Sequence, residues 1–183
     1  FLSGRGGVEK SFLIKCLRHC ISRKFKDSII NPRVAVAAST GVAAALIDGQ
    51  TVHQLLQLDC QEGGRITPKL LNPKKKVKMR RFFQNIRYIF IDEVSMVGNT
   101  NLNQINTRLN EIFGVPPETK FGGINVIFCG DLHQIPAVQQ TMVFESKGIA
   151  ALGPNVWKES VTFTELSDTV RSKGDSSLSF ATV

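Results

Sequence analysis

Ile86-Arg87-Tyr88-Ile89-Phe90-Ile91 empties directly into Asp92-Glu93, and this junction decides the fold. A short, mostly apolar run rich in Ile and aromatic residues predicts a buried strand rather than an amphipathic helix. A second such run, Asn125 to Cys129, empties into Gly130-Asp131-Leu132-His133-Gln134-Ile135-Pro136. Two acidic strand ends, downstream of a glycine-rich loop with a lysine, are the parts of a nucleotide-driven motor, because ligands gather at the carboxyl edge of a parallel sheet. There Asp92 is expected to hold a magnesium ion through water, and Glu93 to orient the water that attacks a terminal phosphate. Gln134 is an uncharged side chain placed to sense that phosphate.

The glycine-rich loop opens the chain. Phe1-Leu2-Ser3 reads as the end of an apolar strand, Gly4-Arg5-Gly6-Gly7-Val8-Glu9-Lys10-Ser11 as a loop, and Phe12 to Lys24 as a helix with apolar Phe12, Leu13, Cys16, Leu17 and Ile21. Strand, loop and helix follow in the order a phosphate cradle requires. Backbone N–H groups of Gly4, Gly6, Gly7, Val8 and Glu9 are expected to face the phosphates, Lys10 to reach the outer ones, and the Ser11 hydroxyl to join Asp92 on magnesium. ATP and Mg2+ are the implied cofactors. One residue departs from the pattern G-x-x-x-x-G-K-[ST], since Glu9 stands at its second glycine. A side chain there puts a Cβ where backbone must approach phosphate, and its carboxylate repels the polyanion, so nucleotide affinity is expected to suffer.

These residues resemble the petite-integration-frequency (Pif) type ATP-dependent DNA helicases, including their transposon-derived, Helitron-like members. Phe1 to Ser11 is similar to the family's Walker A loop, with Val8 and Glu9 where the family has threonine and glycine. Ala38-Ser39-Thr40-Gly41-Val42-Ala43-Ala44, continuing through Ile47-Asp48-Gly49-Gln50-Thr51-Val52-His53, resembles the next motif and is the most family-specific segment. Ile91-Asp92-Glu93-Val94-Ser95-Met96-Val97 resembles Walker B. Gly122-Gly123 through Gly130-Asp131 to Gln134-Ile135-Pro136 is similar to the motif after it, and Leu166 to Arg171 to the segment whose arginine reaches the nucleotide.

The resemblance implies an α/β, doubly wound, mainly parallel sheet: a RecA-like P-loop NTPase motor domain spanning residues 1–183 as a single unit. It implies a first motor lobe, incomplete at its amino terminus and with the second lobe absent. It further implies a monomer acting on single-stranded or forked DNA in the 5'-3' direction, in repair, recombination and telomere maintenance, in the nucleus or mitochondrion of a eukaryote. Carried onto this chain, Glu93, Gln134 and Arg171 become the catalytic candidates, and Thr40, Gly41 and His53 the DNA-binding ones. From the residues alone, Thr40-Gly41 reads equally as a helix-capping turn, and His53 as a packed surface histidine.

Composition agrees with these expectations. A chain of 183 residues can bury a full core, and 23 Lys plus Arg against 15 Asp plus Glu give +8 and a pI near 9.6, a balance that favours polyanionic partners. The densest basic run, Lys74-Lys75-Lys76-Val77-Lys78-Met79-Arg80-Arg81, fits either a phosphate-binding stripe or a solvated linker and helix face. Phe82, Phe83 and Tyr88 either stack bases or cover the sheet. Cys16, Cys20, Cys60 and Cys129 show no disulfide or metal framework, which argues for a reducing compartment. Cys16, His19 and Cys20 share one helix without a second ligand cluster. No signal peptide is expected, and the sequence holds no apolar run long enough to span a membrane as a helix.

Further expected elements are a strand from Arg33 to Ala38, a short helix from Gly41 to about Gly49, and a helical turn capped by Thr51 and running to Leu56. A loop is expected over Cys60 to Pro73, a helix faced by Leu102, Ile105, Leu109, Ile112 and Phe113 that stops at Gly114, and a closing strand from Val161 to Thr164. Two other functions compete with the motor: a nucleic-acid-binding pseudoenzyme, and a small-molecule P-loop kinase, which leaves Thr40 to His53 unexplained.

Overall fold

The computed structural model describes residues 1–26, 32–58, 68–134, 141–145 and 155–166. Its centre is a parallel six-stranded sheet built from β1 (Leu2–Ser3), β2 (Val34–Ala38), β3 (Gln50–Thr51), β4 (Tyr88–Asp92), β5 (Asn125–Gly130) and β6 (Thr164–Glu165), in the order β3-β2-β4-β5-β1-β6. The expected α/β, doubly wound parallel architecture is therefore the observed one. Ala38 pairs with Asp92, and Ser3 with Gly130, so the carboxyl ends of the central strands form one edge.

Side chains alternate across the sheet as the strand period demands. Ala35, Ala37, Ile89, Ile91 and Phe128 join one buried cluster, while Val34, Val36, Ala38 and Phe90 join the other with Ile14 and Ile47. The first is covered by α3 (Val52–Leu56), α4 (Pro73–Phe83), α5 (Asn99–Phe113) and α6 (Val156–Ser160); the second by α1 (Lys10–Phe25) and α2 (Gly41–Leu46). α5 is the main buttress: Leu102, Ile105 and Leu109 are fully buried, and Gly114 ends the helix in the left-handed conformation.

Several expectations need correction. The basic run forms most of α4, entered through an Asn72 cap and Pro73 at its first turn, because Met79 and Phe83 provide enough apolar anchor to hold a polar helix on the core. Within the expected loop from Cys60 to Pro73, residues 68–72 are irregular, and residues 60–67 lie outside the described ones. The closing strand sits at Thr164–Glu165, not Val161 to Thr164; helix α6 ends at Ser160, and residues 161–163 between them are irregular. β3 is an addition to the expected elements, since two residues carry no readable period. Phe83 is buried and Tyr88 half-buried against Phe25, as core readings of them require, while Phe82 stays partly exposed. No helix among the described residues is long and apolar enough to cross a membrane.

Candidate nucleotide and nucleic-acid site

The loop between β1 and α1 is built as a cradle. The Gly4 amide donates to the Gly130 carbonyl at 3.2 Å, which ties the loop to the end of β5. Gly4 is packed so closely that an added Cβ would meet Val8 Cγ2 at 2.4 Å, and Gly7 takes φ 90°. α1 then begins at Lys10, two residues earlier than the apolar spacing implies, so Lys10 and Ser11 already stand on the helix's amino-terminal turn. That places unbonded backbone N–H groups and the positive end of the helix dipole toward the loop.

Glu9 is the helix cap and holds φ 56°, ψ 36°, the left-handed region, with no side-chain hydrogen bond to the helix amides. The second-glycine position thus requires a conformation that costs a residue with a Cβ about 1–2 kcal/mol. The ammonium of Lys10 donates to the carbonyls of Gly4 at 2.6 Å and Arg5 at 3.0 Å, folded across the mouth of the loop.

Beneath the lysine, the Ser11 hydroxyl lies 3.4 Å from Asp92 Oδ2, while Asp92 Oδ1 accepts the Glu93 amide at 2.9 Å. Asp92 is 4% exposed, and burial pushes its carboxyl above the usual carboxylate range against the opposing pull of the Glu93 amide, Lys10 and Ser11. Burial also raises Glu93, with the charge of Asp92 adding to it, Lys10 opposing and Asp131 adding further. Glu93 sits in the left-handed region too, at φ 55°, ψ 49°, where β4 breaks into a 3-10 turn over Val94–Met96. Cys129, deep at the end of β5, has its thiol pushed up to about 12 by burial, and that makes it a core residue rather than a nucleophile.

This donor set fits a nucleotide polyphosphate with a hard divalent cation. A hydroxyl and a carboxylate share one point, a lysine stands beside it, and the loop leaves no room for side chains at Gly4. Gln134 belongs to the same neighbourhood: its Nε2 is 3.8 Å from where a Cβ on Gly6 would lie. Asp131 is buried and accepts the His133 amide at 3.0 Å, so it shapes the turn that carries Gln134.

Across the strand ends, a cavity of about 550 Å³ is walled by Thr40, Val42, Leu46, Glu93, Met96 and Gln134. Thr40 caps α2 by accepting the Ala43 amide at 3.2 Å, so the capping reading holds for its side chain while its position faces the cavity. Gly41 is exposed with open space around it. His53 is half-buried in the first turn of α3, outside the cavity wall, behind a Thr51–Gln54 capping box. The structure therefore brings together the loop, Ser11, Asp92, Glu93, Gln134 and Thr40, but not His53. Arg171 and Ile135-Pro136 lie outside the described residues. Ser39, to which the sequence assigns no role of its own, donates its hydroxyl to the Glu93 carbonyl at 2.7 Å. Among the described residues no group of three or more His, Cys, Asp or Glu side chains is placed to hold a metal ion; Cys16, His19 and Cys20 lie on α1.

A family model described as PIF1-like helicase matches residues 1–180. The chain belongs to that family. It is 31% identical over 186 residues to the ATP-dependent DNA helicase PIF1 of Candida albicans, covering 96% of this chain and 19% of the relative. A crystal structure of Pif1 helicase from Candida albicans superposes with a TM-score of 0.74 at 30% identity, covering 96% of this chain and 37% of that one. Pif1 helicase from Bacteroides, solved in complex with ADP-AlF3 and ssDNA, gives a TM-score of 0.55 at 28% identity over 76% of this chain and 30% of that one. The chain thus spans about a fifth of the curated PIF1 length, and the RecA-like sheet is the part it shares with these helicases.

Proposed function

We propose that this chain is the first motor lobe of a Pif1-type ATP-dependent DNA helicase. The observation that carries the reading is the meeting of Ser11 and Asp92 at 3.4 Å beneath Lys10, with Glu93 next in the chain. In this reading Lys10 leaves its two loop carbonyls for the outer phosphates, Ser11 and Asp92 hold Mg2+, and Glu93 orients the attacking water. A bound nucleotide with its cation supplies the phosphoryl group and neutralises its developing charge. Gln134 stands where it senses the terminal phosphate, and Arg171 completes the catalytic set as the family resemblance suggests.

Single-stranded or forked DNA lies along Thr40, Gly41 and His53 as the family resemblance suggests; the Bacteroides relative solved with ssDNA supports DNA as the ligand. The direction 5'-3', service in repair, recombination and telomere maintenance, monomeric action with a second lobe as intramolecular partner, and placement in the nucleus or mitochondrion of a eukaryote all follow from the resemblance. A nucleic-acid-binding pseudoenzyme is the second reading, favoured by Glu9 in its left-handed cap.

Magnesium-dependent ATP hydrolysis, measured with and without oligothymidylate in the Glu9→Gly chain and in Glu9→Gly/Glu93→Gln, separates the two. The motor reading expects DNA-stimulated turnover that falls by ~10²-fold or more with Glu93→Gln while ATP-analogue binding survives. Equal, measurable turnover in both chains rules out the role of Glu93, and DNA binding by the unsubstituted chain with no turnover until Glu9→Gly restores it supports the pseudoenzyme.

A further inference from the structure

The nucleotide and DNA candidates meet at one side chain that belongs to neither. β2 ends at Ala38, paired with Asp92 of β4, and the ladder continues one residue further through Ser39 N–H to the Asp92 carbonyl at 3.2 Å. The Ser39 hydroxyl then reaches past the strand end to the Glu93 carbonyl at 2.7 Å. That carbonyl also accepts the Met96 amide at 3.1 Å, so two hydrogen bonds from different elements fix one peptide unit. Glu93 is held in the left-handed conformation at φ 55°, where its L side chain is least at ease. Its backbone orientation therefore depends on these neighbours. Immediately after Ser39 comes Thr40, which caps α2 and faces the cavity that Glu93 and Gln134 also line.

We propose that Ser39 is a positioning residue through which a nucleic acid strand seated on Thr40 and Gly41 sets the direction of the Glu93 carboxylate. The inference rests on the motor reading for the places of DNA and nucleotide, and adds the physical connection between them. A strand that shifts the turn at Ser39-Thr40-Gly41 moves the hydroxyl that grips Glu93, and the peptide unit of Glu93 turns with it. Linkage then works both ways: nucleotide that prefers one setting of Glu93 favours the matching setting of the DNA turn.

The test uses the Glu9→Gly chain, the magnesium complex of a non-hydrolysable ATP analogue, and oligothymidylate. The affinity for the analogue is measured with and without saturating oligothymidylate in Ser39, Ser39→Ala and Ser39→Thr forms. Amide resonances of Thr40, Gly41 and Glu93 are followed in parallel. The parent should gain about fivefold or more in analogue affinity when DNA is bound, the scale of ordinary site-to-site coupling. Ser39→Ala should bring that ratio to about one, with each ligand's own affinity kept within about threefold, and Ser39→Thr should restore it. In the same samples, DNA should shift the Glu93 amide in the parent and not in Ser39→Ala, while Thr40 and Gly41 shift in both. A ratio preserved in Ser39→Ala, or a parent ratio of one with Thr40 and Gly41 shifted, overturns the coupling and leaves the motor reading standing. No shift at Thr40 and Gly41 overturns the DNA placement and the coupling with it.

Discussion

At the residue scale, two glutamates in the left-handed region define the site. Glu93 follows β4 and Glu9 caps α1, at φ 55° and φ 56°. The mismatch at Glu9 is legible in the sequence as a missing glycine; its cause is legible only in the backbone. Two penalties combine there. A unit charge ~4 Å from a phosphate charge is repelled by about 1 kcal/mol in water and ~4 kcal/mol at an effective dielectric of 20, and the left-handed backbone adds about 1–2 kcal/mol. Glu9→Gly should therefore raise the affinity for magnesium-bound ATP by at least ~10-fold, since ~1.4 kcal/mol is a factor of ten. Titration of both chains with a fluorescent ATP analogue checks it, and equal affinities would show that the loop holds phosphate away from residue 9. Val8 is better left alone: it is 7% exposed and packs its methyl against Gly4, so a hydroxyl there would be buried.

At the element scale, the elements with strong periods are readable. β4 and β5 announce themselves as apolar runs, and α5 by its heptad-like apolar face. β3 and β6 are not, because a two-residue strand has no period and is defined by its neighbour in the sheet. α4 shows in the sequence only as a charge run, because its helical anchor reduces to Met79 and Phe83. Gly122-Gly123 reads as part of a motif, yet its role is architectural: Phe121 and Gly122 take positive φ, and buried Asn106 and Asn110 accept their amides at 2.7 Å and 2.8 Å. Asparagines inside an amphipathic helix, followed closely by a glycine pair, are the available signal for that turn.

The geometry of α4 also refines what its charges can do. Arg80 donates to the Ile112 carbonyl at 3.0 Å and Lys76 pairs with Glu111 at 3.9 Å, so both are tied to α5. Lys74, Lys75, Lys78 and Arg81 remain exposed, on a helix that packs against the far end of α5 rather than at the ligand edge. A short strand seated on Thr40 and Gly41 should be indifferent to them; a long one that passes over α4 should not. Neutralising Lys74, Lys78 and Arg81 together is expected to lower the log-log salt slope of long oligothymidylate binding by about 0.7 for each phosphate that no longer meets a cation. The short strand's slope should stay as it was. An unaltered slope for both lengths returns α4 to a solvated helix face.

At the scale of the whole molecule, the carboxyl edge of the sheet sets buried carboxylates beside two glutamates in the left-handed region. The clusters flanking the sheet are apolar, and Arg108 is buried on α5 against Glu111, whereas the carboxyl edge gathers Asp92, Glu93 and Asp131, with Asp92 and Asp131 buried. In the proposed motor such an edge would serve a cation and polyphosphate at the expense of fold stability. Asp92 makes this measurable. Its folded pKa is raised by burial, so the folded state holds a proton that the unfolded chain releases. The associated stability is complete below the unfolded value, about pH 4, and is lost as pH rises through the raised folded value. Asp92→Asn removes the ionisation while keeping the size and the acceptor for the Glu93 amide. The ligand-free variant should therefore melt above the parent at pH 7, by roughly 2–4 °C for each kcal/mol of relief in a chain of this length. That gap should close as the pH is lowered below about 4, where the parent's carboxyl is protonated in both states. In the Glu9→Gly background, magnesium-bound ATP should reverse the order at pH 7, because a ligand that binds only the folded chain with Asp92 stabilises it by mass action, and the uncharged amide of Asp92→Asn offers the cation no charge. Thermal melts of both chains across pH, with and without the nucleotide, decide the matter. A variant that melts below the parent at pH 7 without ligand would mean that Lys10 and Ser11 compensate the Asp92 charge more fully than its burial penalises it.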